Sequence, residues 1–292
     1  MVDVTTTPGA GTRGGDRTRT VRQPSLLRWP LRIAVIVYLA LLVVWPVAIV
    51  AFKTFERGLG PVLEALGQPE VIFAFQLTAA NAAWAVVINT VFGVGISLLL
   101  VRYEFPGRRA LSALIDLPLS VSPVVVGLAL LLVYSGRTGW FGPTLEGLGL
   151  QVIYAQPGMI MATAFVSLPL VIREVVPVLH EIGTDQEQAA SSLGASPLQT
   201  FLRITLPAIR WALVYGVVLS LARSLGEYGA VKVVSGGVAL RTQTATLLVE
   251  ERYSQFGADN TTAAYAAAFV LALIAVIALV VVSTLRPSEH DR

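Results

Sequence analysis

Four stretches of this chain are apolar for long enough to cross a lipid bilayer as helices: Ile33 to Phe52, Ala79 to Val101, Leu117 to Tyr134 and Ala263 to Leu285. A helix rises about 1.5 Å per residue, so roughly 18 or more apolar residues cover the hydrocarbon core. Two further runs, Gly158 to Ile172 and Ala208 to Ala222, are shorter and end in charge. They can span only where those charges face protein or water. The expected fold class is therefore an all-α polytopic membrane protein with six transmembrane helices. Composition agrees, since 55% of residues are hydrophobic and only 13% charged, outside the range of ordinary soluble domains.

The charges that remain sit mostly at span ends. Nearly all the cations are arginines, the two lysines being Lys53 and Lys232. Arg13, Arg17, Arg19, Arg22, Arg28 and Arg32 precede the first span, and Arg102, Arg108 and Arg109 separate the second from the third. Arg173, Arg203 and Arg210 flank the segment between the fourth and fifth. By the positive-inside rule odd spans run outward and both termini are cytoplasmic. No basic stripe alternates with exposed aromatics, so nucleic acid is not an expected partner; lipid is. Trp29, Trp45, Tyr134 and Trp211 suit an interfacial aromatic belt. Residues 1–30, rich in Thr, Gly and Arg, read as a disordered cytoplasmic tail, 31–286 as the membrane domain and 287–292 as a second cytoplasmic tail. With no cysteine in the chain, disulfide and thiol chemistry are excluded.

Between the fourth and fifth spans lies a polar, helix-forming insert, 180–207. Thr184-Asp185-Gln186-Glu187 has the capping-box pattern, with Glu187 reaching back to the helix start. Gln188, Ala189, Ala190 and Leu193 continue that helix, and Gly194 falls where a left-handed C-terminal residue is expected. After Ala195, Ser196-Pro197-Leu198-Gln199 is a second start, with Ser as cap and Pro at the first helical position. Leu198, Phe201 and Leu202 form one apolar stripe, and Pro207, after Leu206, marks the turn into the fifth span. Capping alone also suits an ordinary helical loop that covers the bundle ends.

The register of Gln188-Ala189-Ala190, Gly194, Ile204, Leu206 and Pro207 resembles the EAA loop of bacterial ABC importer permeases, with Gln188 where that family carries Glu and Glu187 one residue earlier. The resemblance implies the type I ABC importer permease fold and docking of this insert into a groove of a separate ATP-hydrolysing subunit. Gln188 in place of Glu departs from one salt bridge of that docking, although a Gln can still hydrogen-bond.

Two membrane motifs stand out. Pro118, Ser120, Ser122 and Pro123 open the third span; each proline removes a backbone donor, and the serines can satisfy freed carbonyls. They read either as a structural kink or as a flexible segment lining a path. Arg223 and Glu227 are four residues apart on one helical face beside Gly226 and Gly229. They read either as a structural ion pair or as groups beside a translocation path, and a carboxylate facing a dianion path would repel it. Lys232, Ser235, Gly236 and Gly237 read as a solvated loop end near the outer mouth, and Arg173-Glu174 as interface anchors.

Ile115 to Gly127 and Arg223 to Ala230 resemble the sulfate and molybdate permeases, most closely the W-type subunit of the sulfate/thiosulfate importers. That resemblance implies a heterodimer with a T-type permease, two ATP-binding subunits and an extracytoplasmic sulfate-binding protein, in the bacterial inner membrane. ATP and Mg would be bound by the partner subunit, leaving this chain with no cofactor of its own. No Gly-x-x-x-x-Gly-Lys-Ser/Thr loop occurs, so no nucleotide site is expected here. His180 and His290 form no His-Glu-x-x-His pattern and no Gly-x-Ser-x-Gly turn appears, so neither catalytic residues nor a metal are expected. A passive channel or receptor fits hydropathy but would not need the paired capped helices; a molybdate or tungstate permease is the alternative within the transporter class.

Overall fold

The computed structural model describes residues 25–285, in which every regular element is helical. The chain divides into two compact units, up to Ile49 and from Val50 onward. The first holds α1 (Ser25–Leu39), a π-turn at Ala40–Val44 and the beginning of α2 (Trp45–Phe55). The tail expected over 1–30 lies outside the described residues up to position 24, while Ser25 to Pro30 already belong to α1. The second tail, 287–292, is also outside them.

The second unit continues with α3 (Leu59–Leu66), α4 (Pro69–Arg102), α5 (Arg108–Ser120), α6 (Pro123–Tyr134) and α7 (Gly142–Gly147). Then follow α8 (Gln156–Ile182), α9 (Asp185–Ser192), α10 (Pro197–Thr200), α11 (Leu206–Leu225), α12 (Gly229–Ser235), α13 (Ala245–Ser254) and α14 (Ala258–Leu285). Five segments are long and apolar enough to cross a membrane: Trp29–Phe55, Pro69–Arg102, Gln156–Ile182, Pro197–Leu225 and Ala258–Val281. The sixth expected span is broken, because α5 and α6 meet at 113°. Pro123 explains the break. A residue before proline is pushed out of the helical region, and Ser122 accordingly has ψ 134° and Val121 ψ 139°. With its 12 residues α6 is about 18 Å long, too short to cross alone. The count of six therefore holds only when the bent pair is one span.

The two runs that looked short are extended by less apolar flanks. α8 continues past Arg173 and Glu174 to Ile182, and Arg173 meets Asp116 of α5 at 3.0 Å. Arg173 is thus a tie between helices. Helix α8 is the hub of the unit, packing on α4, α5, α6, α11 and α12. Met159, Val171, Val175 and Leu179 along it are fully buried. Close approach depends on glycine: a Cβ at Gly93 of α4 would lie 2.9 Å from Val171 Cγ1, and one at Gly216 of α11 would lie 3.0 Å from Val171 Cα. Small residues at such crossings let three apolar helices gain dispersion contact where no hydrophobic effect drives them together.

At the end of the bundle where α4 starts, polar ties hold the connecting elements. Arg57 pairs with Asp259 at 2.6 Å, and Arg252 of α13 pairs with Glu70 and bonds Asn260 Oδ1. At the opposite end the termini of α4 and α8 and the start of the Pro197–Leu225 helix converge on α9 and α10.

Candidate functional site: the helical insert and the paired helix breaks

The insert folds as two short helices around a glycine bend. Helix α9 starts after Thr184, but the capping box expected there does not form. Thr184 Oγ1 instead accepts a hydrogen bond from Gln188 Nε2 at 2.9 Å, because Glu187 is drawn away to a stronger partner, the guanidinium of Arg102. The helix ends as expected. Gly194 has φ +85°, its N–H donates to Ser191 O and that of Ala195 to Ala190 O, the paired bonds of a Schellman cap. The second capping box is complete: Ser196 Oγ accepts from Gln199 N and Gln199 Oε1 from Ser196 N, with Pro197 at the helix start.

Beyond α10 the helix does not turn at Pro207. A five-residue π-turn, Phe201–Thr205, carries it without a break into α11, with Leu206 N–H donating to Phe201 O. The wider turn accommodates Pro207, which has no N–H to offer to an i−4 carbonyl. The expected apolar stripe divides accordingly. Phe201 packs onto the cluster of Leu179, Val175 and Ile209, whereas Leu198 and Leu202 are exposed at 66% and 51%, and Leu193 at 90%. Gln188, Ala189, Ser196 and Pro197 are exposed alongside them, and Ala190, Ala195 and Leu206 half-buried.

Behind this surface Arg102, the last residue of α4, donates hydrogen bonds to three acceptors and faces a fourth as an ion pair. Its Nη1 donates to Leu179 O (3.1 Å) and its Nη2 to Gly183 O (2.7 Å), the free carbonyls at the end of α8. Nη2 also reaches Glu187 Oε1 (3.2 Å), and Nε lies 3.0 Å from Glu187 Oε2. Glu187 Oε1 in turn accepts from the hydroxyl of Thr205, a buried residue of the π-turn, at 2.8 Å. Beside the cluster is a cavity of about 300 Å³ lined by Arg102, Tyr103, Glu187, Ser191, Pro197 and Thr205. Sequence reading assigned Arg102 only to the charge bias of span ends.

The second constellation brings together the two membrane motifs. The α5–α6 break and the α11–α12 break are neighbours: a Cβ on Gly229 would meet Pro123 Cβ at 3.1 Å, and one on Gly127 would meet Ala230 O at 2.7 Å. Pro118 is buried and Pro123 half-buried, while Ser120, Ser122 and Gly226 are exposed. Glu227 lies within this junction with its side chain 2% exposed, and Arg223 Nη1 is 2.8 Å from Glu227 Oε2. Glu227 Oε1 accepts from Ala230 N at 2.9 Å, so the carboxylate sits on the positive end of α12. Arg223 remains 37% exposed. The pair thus hides its negative member and shows its positive one.

Near this junction Lys232 bonds Glu250 Oε1 (2.6 Å) and the Tyr228 hydroxyl (2.7 Å), and the Glu250 contact first raises its pKa above the ordinary lysine value. The solvated-loop reading fails for Ser235, which is buried and whose Oγ accepts from Gly237 N; Gly236 and Gly237 do form a bend at positive φ. Sequence reading also missed a buried polar seam. Asn89 Nδ2 donates to Ser167 Oγ (2.8 Å) and Ser220 Oγ (3.2 Å), and Ser224 Oγ to Ser167 Oγ (3.2 Å), joining α4, α8 and α11.

Residues 89–288 match the family described as binding-protein-dependent transport system inner membrane component. The chain is 48% identical over 245 residues to the sulfate transport system permease protein CysW of Synechococcus elongatus, covering 84% of each chain. To the protein of the same description from Escherichia coli strain K12 it is 43% identical over 247 residues, covering 85% of this chain and 84% of that one. In structure it is similar to a bacterial ABC transporter involved in the import of the acidic polysaccharide alginate, with a TM-score of 0.73, 17% identity, and coverage of 89% of this chain and 94% of that one. That last likeness speaks for the fold, and the expected importer-permease architecture holds. The chain belongs to the binding-protein-dependent transport system inner membrane components, the membrane permeases of ABC importers.

Proposed function

We propose that this chain is one permease subunit of an ATP-driven importer of sulfate, and of thiosulfate as a second substrate. Its relatives described as sulfate transport permeases support the substrate. The observation that carries the coupling is the insert, which presents Leu193, Leu198 and Leu202 to solvent at one end of the spans while Arg102 and Phe201 hold it to them. Such a surface suits the groove of a separate ATP-binding subunit. In this reading the insert faces the cytoplasm, as the arginine distribution requires.

The importer would comprise this chain, a T-type permease, two ATP-binding subunits that hold ATP and Mg, and an extracytoplasmic sulfate-binding protein. This chain carries no ATPase site; ATP binding elsewhere favours one of two conformations, and the insert transmits the difference as rigid motion. Coupling is carried by Glu187 to Pro207. The path residues are those around the paired breaks, Pro118 to Pro123 and Arg223 to Gly229, where Arg223 offers a positive group to a dianion and Glu227 is withdrawn.

Vesicles containing this chain with its neighbouring permease, ATPase and binding protein should take up labelled sulfate only with internal ATP, and excess molybdate should barely compete. Uptake of molybdate without sulfate would overturn the substrate; ATP-independent sulfate flux would overturn the coupling.

A further inference from the structure

We infer that the Arg102–Glu187–Thr205 cluster is the positioning device that makes the insert move as one body with three spans, so that its loss lowers transport per ATP consumed without removing the docking surface. The inference rests on the proposed function for its transport readout and on geometry alone for its mechanics. One carboxylate and one guanidinium join four elements here. Arg102 belongs to α4, the carbonyls of Leu179 and Gly183 end α8, Glu187 is in the first turn of α9, and Thr205 closes the π-turn that leads into α11. The side chains of Arg102 and Glu187 are only 12% and 20% exposed, so water screens the pair weakly.

The chemistry of each member fits the task. A planar guanidinium can fork to a carboxylate and still reach two carbonyls, which an ammonium on a single point cannot do. Positive charge at the end of α8 also complements its dipole. The carboxylate orients α9, and since Glu187 points inward while Gln188 and Leu193 point outward, the same short helix carries both the tie and the exposed face. Tilting α9 without moving α4, α8 and α11 would break a partly buried ion pair, which costs more than the exposed contacts around it. Arg102 and Glu187 are engaged with each other and with the carbonyls that end α8, so they act through the insert.

The test uses Arg102→Lys and Glu187→Gln, which keep size and most polarity, and Thr205→Val. In the assembled importer, sulfate uptake and ATP hydrolysis are measured together. Each of the first two variants is expected to lower the uptake-to-hydrolysis ratio by at least about five-fold, the lower bound of a useful coupling free energy, and Thr205→Val by less. The double variant should lose no more than the worse single one, since both remove the same unit. A merely structural pair would lower the amount of assembled importer and leave the ratio of what remains unchanged; that result overturns the inference. The full chain in detergent gives a second readout free of any transport assumption. Amides of 185–200 should exchange hydrogen at least about ten-fold faster in Glu187→Gln while those of α8 stay protected. Unchanged exchange overturns the inference even where the unmodified importer moves no sulfate, an outcome that would instead sink the functional reading.

Discussion

Gly194→Val should reduce ATP-driven uptake by at least about ten-fold while leaving the spans folded. A Cβ at this position would meet nothing within 4 Å, so the penalty is wholly one of backbone conformation. At φ +85° a β-branched residue costs about 1–3 kcal/mol, comparable with the pair of Schellman bonds that the bend maintains. The cheaper arrangement opens the bend and separates α9 from α10, moving Leu193 away from Leu198. Asn tolerates the left-handed region, so Gly194→Asn is expected to retain most of the uptake. Uptake and hydrolysis in vesicles check both variants. Equal coupling in Gly194→Val and the unmodified chain would mean that the bend is not needed for docking.

Arg223→Met is the second large effect. It leaves the Glu227 carboxylate buried with one backbone donor, and breaking such a pair costs about 3 kcal/mol or more. The low end of the range applies because Arg223 is partly exposed. Thermal unfolding in detergent should show the loss. The double variant Arg223→Met/Glu227→Gln removes both charges and its amide oxygen can still accept from Ala230 N, so stability should recover most of the loss, the remainder being the cost of the buried amide N–H2 left without an acceptor. Transport separates the two readings of this pair. If Arg223 also meets the anion, the stable double variant takes up sulfate poorly; if the pair only fixes the helix junction, uptake returns with stability.

What was legible in the sequence were features that depend on near neighbours. Gly194, the Ser196–Gln199 box and the break before Pro123 follow from backbone sterics and capping over a few residues, and all three are present, whereas Pro118 is carried inside α5 without breaking it. The capping box at Thr184 failed for a reason of the same local pattern meeting a distant group: Glu187 has a charged partner in Arg102, at the end of another span, and a charge-assisted pair outcompetes a cap. Pro207 was read as a turn because proline usually ends a helix, and the π-turn upstream that absorbs it has no simple sequence mark. The Asn89, Ser167, Ser220 and Ser224 seam joins three helices, and the first three of these residues are unremarked within apolar runs. Polar residues in otherwise apolar spans were the available clue, since lipid cannot satisfy them. The neighbouring breaks at Ser122 and Gly226 were each readable, but their meeting depends on the packing of α6 on α12.

Docking of the insert on a separate ATP-hydrolysing subunit can be measured directly, because the chain has no cysteine and a single one can be placed at will. Leu198→Cys, exposed at the start of α10, is crosslinked to single cysteines set along the groove of the partner ATPase in the assembled importer, with Trp140→Cys in the α6–α7 connection at the other end of the spans as control. The expected result is a crosslink from position 198 that changes in yield between nucleotide-free and ATP-bound states, with none from position 140. A crosslink absent from position 198 in an importer that still takes up sulfate would contradict the assignment of the insert as the coupling element.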